Sequence, residues 1–133
     1  MPTTMKAVQV PAADGAFQVV DRSVPDPAPG AVRIKVAACG ICHSDAFVKA
    51  GAWFKIDYPR VPGHEVAGIV DAVGPGVERW RPGDRVGIGW HGHHCGDCDE
   101  CRSGDFIVCR NLRITGFHFD VVKNSKPKVC SAG

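Results

Sequence analysis

Short apolar runs, many of them alternating with polar residues, are separated along this chain by turn-forming residues. Within Ala31–Ala38, the apolar side chains of Val32, Ile34 and Val36 alternate with charged ones. A period of two is typical of a strand with one buried face, and this segment predicts a half-buried antiparallel strand. The full pattern predicts strands at Met5–Val10, Phe17–Asp21, Ala31–Ala38, Glu65–Val73 and Arg85–Ile88.

Helical patterns are limited to two short segments, Ser44–Ala50 and Cys98–Gly104. The 16 glycines and 10 prolines cluster between the apolar runs, where they predict tight turns. Many short strands with proline-rich turns favour a small β-barrel over a doubly wound sheet. A length of 133 residues fits one domain. We therefore expect a mainly β fold with short helices.

Composition excludes some classes of function. The net charge is +2 and no stretch is dense in Lys and Arg, so a nucleic-acid partner has no electrostatic support. No apolar run approaches the length that spans a bilayer, and the first residues lack the apolar core of a signal peptide. We expect a cytoplasmic protein with neither a nucleic-acid nor a membrane partner.

Four cysteines with short spacings form the strongest local motif. They are Cys95, Cys98, Cys101 and Cys109. Four thiolates suit a closed, tetrahedral, structural zinc site. Buried or disulfide-paired cysteines are the alternative, but the total of seven is odd. An iron–sulfur cluster is less favoured because the ferredoxin run places its fourth cysteine three residues on and follows it with proline. We predict structural zinc.

A glycine-rich segment precedes these cysteines. Gly87–Gly92 matches G-x-G-x-x-G, but no helical pattern follows, so it predicts a turn and not a dinucleotide site. His91, His93 and His94 come next. With four thiolates available, we expect these histidines to be exposed loop residues and not ligands.

A second cluster combines C-G-I-C-H-S-D, starting at Cys39, with P-G-H-E-V-A-G, starting at Pro62. The Cys42 thiolate would be stabilised at a helix N-terminus. His64 does not open a metalloprotease motif, because Gly68 stands where the second histidine would be. A redox-active C-x-x-C is disfavoured because no βαβ context surrounds it.

In this order, the cysteine–histidine segments, a G-D-R-V turn and the four-cysteine motif resemble the zinc-containing medium-chain alcohol dehydrogenases, from about Met5 to Asp120. The resemblance implies a GroES-like β-barrel over residues 1–120. A projecting lobe, residues 91–113, would hold structural zinc through the four cysteines. A catalytic zinc would be held by Cys42 and His64.

The resemblance also implies individual roles. Glu65 corresponds to a carboxylate that approaches the catalytic zinc, and Asp45 to one that orients the histidine ligand. Ser44 matches a hydroxyl that takes the alcohol proton, and His43 a position that reaches the cofactor pyrophosphate. Phe47 stands where some members carry a relay histidine. The implied reaction is oxidation of an alcohol to an aldehyde or ketone, with hydride transfer to NAD or NADP and zinc as the Lewis acid.

Residues 121–133 depart from the family pattern. We expect an atypical tail, with Cys130 a chance thiol, and no nucleotide-binding Rossmann domain or remaining catalytic-zinc ligand within the chain. The isolated chain should therefore bind one zinc tightly, a second weakly or not at all, and show no hydride transfer.

The alternative is a stand-alone zinc-binding barrel module without activity. It is disfavoured because such a module has no use for the second cluster, Cys42, Asp45, His64 and Glu65. A homo-oligomer is compatible with the sequence.

Overall fold

In the computed structural model of this chain, the described residues are 4–53, 55–118 and 130–131, the last two by their backbone only. The strands are β1 (Thr4–Gln9), β2 (Gln18–Ser23), β3 (Val32–Cys39), β4 (Val66–Val73), β5 (Arg85–Ile88), β6 (His91–His93), β7 (Arg113–Ile114) and β8 (Cys130–Ser131). The helices are α1 (His43–Ala50), α2 (Asp99–Arg102) and a 3₁₀ turn at Phe106–Val108.

The strands form three antiparallel sheets. The largest has the order β3-β4-β5-β8, and β1 pairs with β2 and β6 with β7. The prediction of a mainly β fold is confirmed. Pairings among the described residues do not close the three sheets into one barrel. No helix in the described ranges has the length and apolarity needed to cross a membrane.

Strand β3, at one end of the largest sheet among the described strands, departs from strict alternation. Its antiparallel pairing with β4 is confirmed, and Val32 and Ile34 pack on the buried pair Val70 and Val86. Register shifts follow Arg33 and again Val36, and Val36 is 49% exposed. The first shift leaves Asp71 of β4 without a paired residue on β3 and the second leaves Ala37 of β3 without one on β4, so the alternation of faces along β3 is interrupted after Val36.

A second apolar core lies beneath α1. Val48, Ile114 and Phe117 are buried there, with Phe47, Ile56 and Trp90 packed against them. Val48 is on α1 and Ile114 on β7, so this core joins the helix to the segment that follows the four-cysteine lobe. The packing therefore holds the two cysteine-bearing regions in one domain.

The five predicted strands and both helical segments are confirmed, with small shifts at their ends. The sequence did not predict β6, β7 or β8. Strands of two or three residues carry no period to detect, and β6 and β7 exist only through their pairing with each other. Of the predicted atypical tail, residues 119–129 and 132–133 lie outside the described part.

Candidate metal centres

The four cysteines predicted to bind structural zinc converge in space. The Cys95 sulfur lies 3.6 Å from that of Cys109 and 4.0 Å from that of Cys101, and the sulfurs of Cys98 and Cys109 are 3.9 Å apart. A tetrahedral site with zinc–sulfur bonds of about 2.3 Å separates its sulfurs by about 3.8 Å. A disulfide requires about 2.0 Å. The donor set therefore fits zinc, and these cysteines are unpaired thiols.

Backbone amides donate hydrogen bonds to sulfurs of the cage, the name used below for the site formed by Cys95, Cys98, Cys101 and Cys109. The amides of Asp97 and Cys98 donate to the Cys95 sulfur at 3.4 Å, and those of Cys95 and Asn111 donate to the Cys109 sulfur at 3.3 Å. The hydrogen bonds from Asp97 and Cys98 lower the pKa of Cys95 to about 6. Burial raises the pKa of the Cys101 thiol. A cation among the four sulfurs would offset that desolvation, as expected of a closed structural site.

The lobe around these four cysteines has an exposed surface that carries both charged and apolar side chains. Arg110 pairs with Asp99 at 3.2 Å and with Glu100 at 3.0 Å. The expectation of three exposed loop histidines is only partly correct. His91 is exposed but lies on β6 with His93, which is half-buried. His94 is half-buried, with its ring centroid 4.3 Å from that of Phe106.

The residues of the second cluster also lie close together, although α1 and the loop after it separate the two segments in sequence. The Cys42 sulfur is 3.1 Å from His64 Nε2. One ligand atom each from Cys42, His64 and Glu65 lies within 4.8 Å of the others. A sulfur and a nitrogen bound to one tetrahedral zinc lie about 3.5 Å apart. A small increase in the distance between the Cys42 sulfur and His64 Nε2 would therefore make room for the metal.

Helix α1 positions Cys42 at its N-terminus. Cys42 is the N-cap with extended backbone, and its sulfur accepts a hydrogen bond from the Ser44 amide at 3.3 Å. In return, Asp45 Oδ2 accepts from the Cys42 amide at 3.0 Å. The start of α1 thus holds the Cys42 sulfur beside His64.

The second oxygen of Asp45 faces His64. Oδ1 lies 3.6 Å from His64 Nδ1, longer than a direct hydrogen bond, and both side chains are buried. Neither atom has a hydrogen-bond partner among the described residues. An Nδ1–H turned toward this carboxylate would leave Nε2 free to bind a metal, the usual arrangement around a histidine ligand.

An open cavity of about 540 Å³ adjoins His64 and is lined by residues 64–66 and 87–90. The Trp90 ring meets His64 edge-on at 4.9 Å and Phe117 at 5.1 Å. Sequence reasoning assigned no role to Trp90. Its position between Gly89 and His91, just after a predicted strand, was the available signal.

Two other predicted residues, His43 and Ser44, lie at the start of α1. Ser44 is half-buried, and exposed His43 makes an edge contact with Phe47 at 5.3 Å. Cys39 is exposed and belongs to neither candidate ligand group in the described chain. The backbone of Cys130 pairs with Gly87, which lines the cavity.

The chain was compared with known proteins. Residues 28–130 match the model of the alcohol dehydrogenase GroES-like domain. Alcohol dehydrogenase patD of Aspergillus clavatus is 42% identical over 120 residues, which are 90% of this chain and 31% of that protein.

Two solved structures extend the comparison. The short chain alcohol dehydrogenase rspB of Escherichia coli CFT073, complexed with NADH, superposes with TM-score 0.80 and 37% identity, covering 97% of this chain and 36% of that one. The cobalt- and zinc-bound alcohol dehydrogenase of Pyrobaculum aerophilum superposes with TM-score 0.78 and 31% identity. This match covers 88% of this chain and 36% of that one.

This chain thus spans about a third of the length of these relatives. The match covers both cysteine-bearing segments. The chain belongs to the zinc-dependent medium-chain alcohol dehydrogenase family, of which it contains the GroES-like N-terminal domain.

Proposed function

We propose that this chain is the catalytic-domain portion of an alcohol dehydrogenase that converts an alcohol to an aldehyde or ketone with NAD or NADP. The observation that carries the proposal is the approach of Cys42, His64 and Glu65 within 4.8 Å beside an open cavity. Zinc and NADH are bound by the relatives named above. Because those relatives are about three times longer, the activity of a whole protein is inferred and rests on this site.

The two metal centres would have different tasks. Cys95, Cys98, Cys101 and Cys109 would hold a structural zinc, with all four positions filled by sulfur. Cys42 and His64, with Glu65 nearby, leave a coordination position for substrate, as catalytic sites do. Zinc bound there would supply a Lewis acid that lowers the pKa of an alcohol or polarises a carbonyl.

The side chains of the site have separable roles in this proposal. Asp45 holds the Cys42 amide through one oxygen and orients His64 through the other. Ser44 would take the proton of the alcohol, and His43, exposed at the same helix start, would bind the phosphates of the cofactor. Trp90 packs against His64 and limits the directions from which a substrate can enter.

A domain-replacement experiment tests the activity. Residues 1–118 would replace the matching domain of the Aspergillus clavatus relative, and alcohol-dependent reduction of NAD and NADP would be measured. We expect activity, a loss of about 100-fold or more in Ser44→Ala, and none in Cys42→Ser. A Cys42→Ser fusion with full activity would refute the proposal. So would a folded, zinc-loaded parent fusion without any activity.

A further inference from the structure

We propose that Gly40 is a positioning residue of the second metal centre, because its missing side chain leaves the space that the Glu65 carboxylate occupies. This inference rests on the proposed function and assigns to Gly40 a task that the motif by itself does not reveal. A Cβ added at Gly40 would lie 2.2 Å from Glu65 Oε2, far inside contact distance, and 3.0 Å from the Glu65 Cβ.

The approach of the two residues is fixed by the backbone. The Gly40 amide donates to the Glu65 carbonyl at 2.9 Å, directly beyond the last pair of β3 and β4, Cys39 with Val66. The main chains therefore cannot separate to admit a side chain without breaking this hydrogen bond. The Glu65 carboxylate, at the end of a flexible side chain, is the group that would move.

Gly40 does not need to be glycine for its backbone conformation. Its φ lies outside the left-handed region, whereas Gly51, Gly63 and Gly116 have φ values of 71°, 117° and 77°. Alanine at position 40 is thus acceptable to the backbone conformation, and its Cβ would meet the side chain of Glu65, most severely at the carboxylate. The requirement is for space, and the space lies beside Cys42 and His64.

The consequence concerns metal binding. With Gly40, the carboxylate can remain near the sulfur of Cys42 and Nε2 of His64 and offer an oxygen as the third ligand atom. With alanine, the carboxylate must turn away, and the site retains only two protein ligands from this cluster. Fewer ligands mean weaker metal binding and a different ligand field.

The test is Co²⁺ titration of the full chain with zinc already in the four-cysteine cage, followed by absorption spectroscopy and chelator competition. We expect Gly40→Ala to lower Co²⁺ affinity about 10-fold or more and to change the cobalt spectrum. Glu65→Ala should have the same effect. In the Glu65→Ala background the carboxylate is absent and only the contact with the Cβ of residue 65 remains, so Gly40→Ala should lower the affinity much less than it does alone.

Several outcomes would overturn the inference. One is wild-type Co²⁺ affinity in Gly40→Ala, and another is unchanged affinity in Glu65→Ala, which replaces an exposed side chain. An equal loss from Gly40→Ala with and without Glu65 would show a backbone effect instead. If Cys42→Ser retains wild-type Co²⁺ affinity, the proposed function itself fails and the inference fails with it.

Discussion

At the scale of single residues, Asp45 has the most connected position in the second metal centre. One of its oxygens accepts from the Cys42 amide, and the other faces Nδ1 of His64 from 3.6 Å. It thus supports both expected ligands from a buried position. The two tasks can be separated, because an amide side chain can retain the first and lose the charge needed for the second.

We predict that Asp45→Asn lowers Co²⁺ affinity at the second centre by about 10–100-fold with little change in stability. Asp45→Ala should lose the same affinity and about 1 kcal/mol of stability as well, because the Cys42 amide loses its acceptor. Chelator competition and urea unfolding measure the two effects. Unchanged affinity in both variants would exclude a role for Asp45 in metal binding.

His118 gives a pH prediction away from the metal ligands. Burial lowers its pKa, helped by the charges of Arg113 and Arg60. The unfolded chain therefore binds more protons than the folded chain between this lowered pKa and the ordinary value near 6.5. Stability from His118 is complete above 6.5 and is lost as the pH falls toward the lowered pKa.

His118→Asn should reduce the dependence of the free energy of unfolding on pH. The asparagine oxygen can replace Nδ1 as acceptor for the Ile114 amide, now at 2.9 Å, without titrating. The measurement is the free energy of unfolding of both proteins at several pH values from 7 downward. Parallel curves would show that His118 does not contribute.

At the scale of elements, the approach of two loops positions His64. Gly116 follows β7, and a Cβ there would lie 2.7 Å from the carbonyl oxygen of Gly63 and 2.9 Å from its nitrogen. Gly63 directly precedes His64. Glycine at 116 is needed twice, for this backbone contact and for its φ of 77°.

Gly116→Ala can be compared with Gly76→Ala, which has a φ of 76° but no atom within 4 Å of an added Cβ. The control should cost about 1–2 kcal/mol through its backbone conformation. Gly116→Ala should cost about 1–3 kcal/mol more through overpacking and should also weaken Co²⁺ binding. Equal destabilisation in urea unfolding would show that the loops can separate freely.

Elements with a local signal could be predicted from sequence, and those made by distant partners could not. The cage follows from four cysteines within fifteen positions, Cys95 to Cys109. Strands β3 and β4 are predicted by the pattern of apolar residues in the sequence. The register shifts between β3 and β4 depend on the partner strand, and the contact of Trp90 with His64 depends on the path of β5 and β6. Roles for Asp45 and Glu65 came only from the family resemblance.

At the scale of the whole molecule, the lobe and the main sheet differ in what stabilises them. The sheet packs Val70 and Val86 against apolar neighbours. In the lobe, Phe106, Ile107 and Val108 are exposed, and its Arg110 ion pairs are at the surface. Metal binding must therefore supply most of the free energy that orders the lobe.

Removal of zinc should accordingly unfold the lobe and leave the sheet intact. Hydrogen exchange after treatment with a strong chelator should speed up across residues 91–113 while β3, β4 and β5 stay protected. Re-addition of zinc should restore protection. Uniform exchange across all these residues would mean that the cage and the sheet unfold as one unit.

Cys130 provides a check on the second centre. Its strand pairs with Gly87 beside the cavity, yet the sequence predicts a thiol without a ligand role. Cys130→Ser should therefore leave Co²⁺ affinity at Cys42 and His64 unchanged. A loss as large as that in Cys42→Ser would instead make Cys130 a ligand.

The central claim is that one domain carries two metal environments, a closed sulfur cage and an open Cys42–His64 site. The most direct measurement is zinc per chain after dialysis against a weak chelator, in contrast to the strong chelator used to empty the four-cysteine site. Wild type, Cys39→Ser and the Cys42→Ser/His64→Ala double variant should each retain one zinc, and Cys95→Ser/Cys98→Ser should retain none. Folded wild-type chain without zinc, or zinc retained when the cage is broken, would contradict the account.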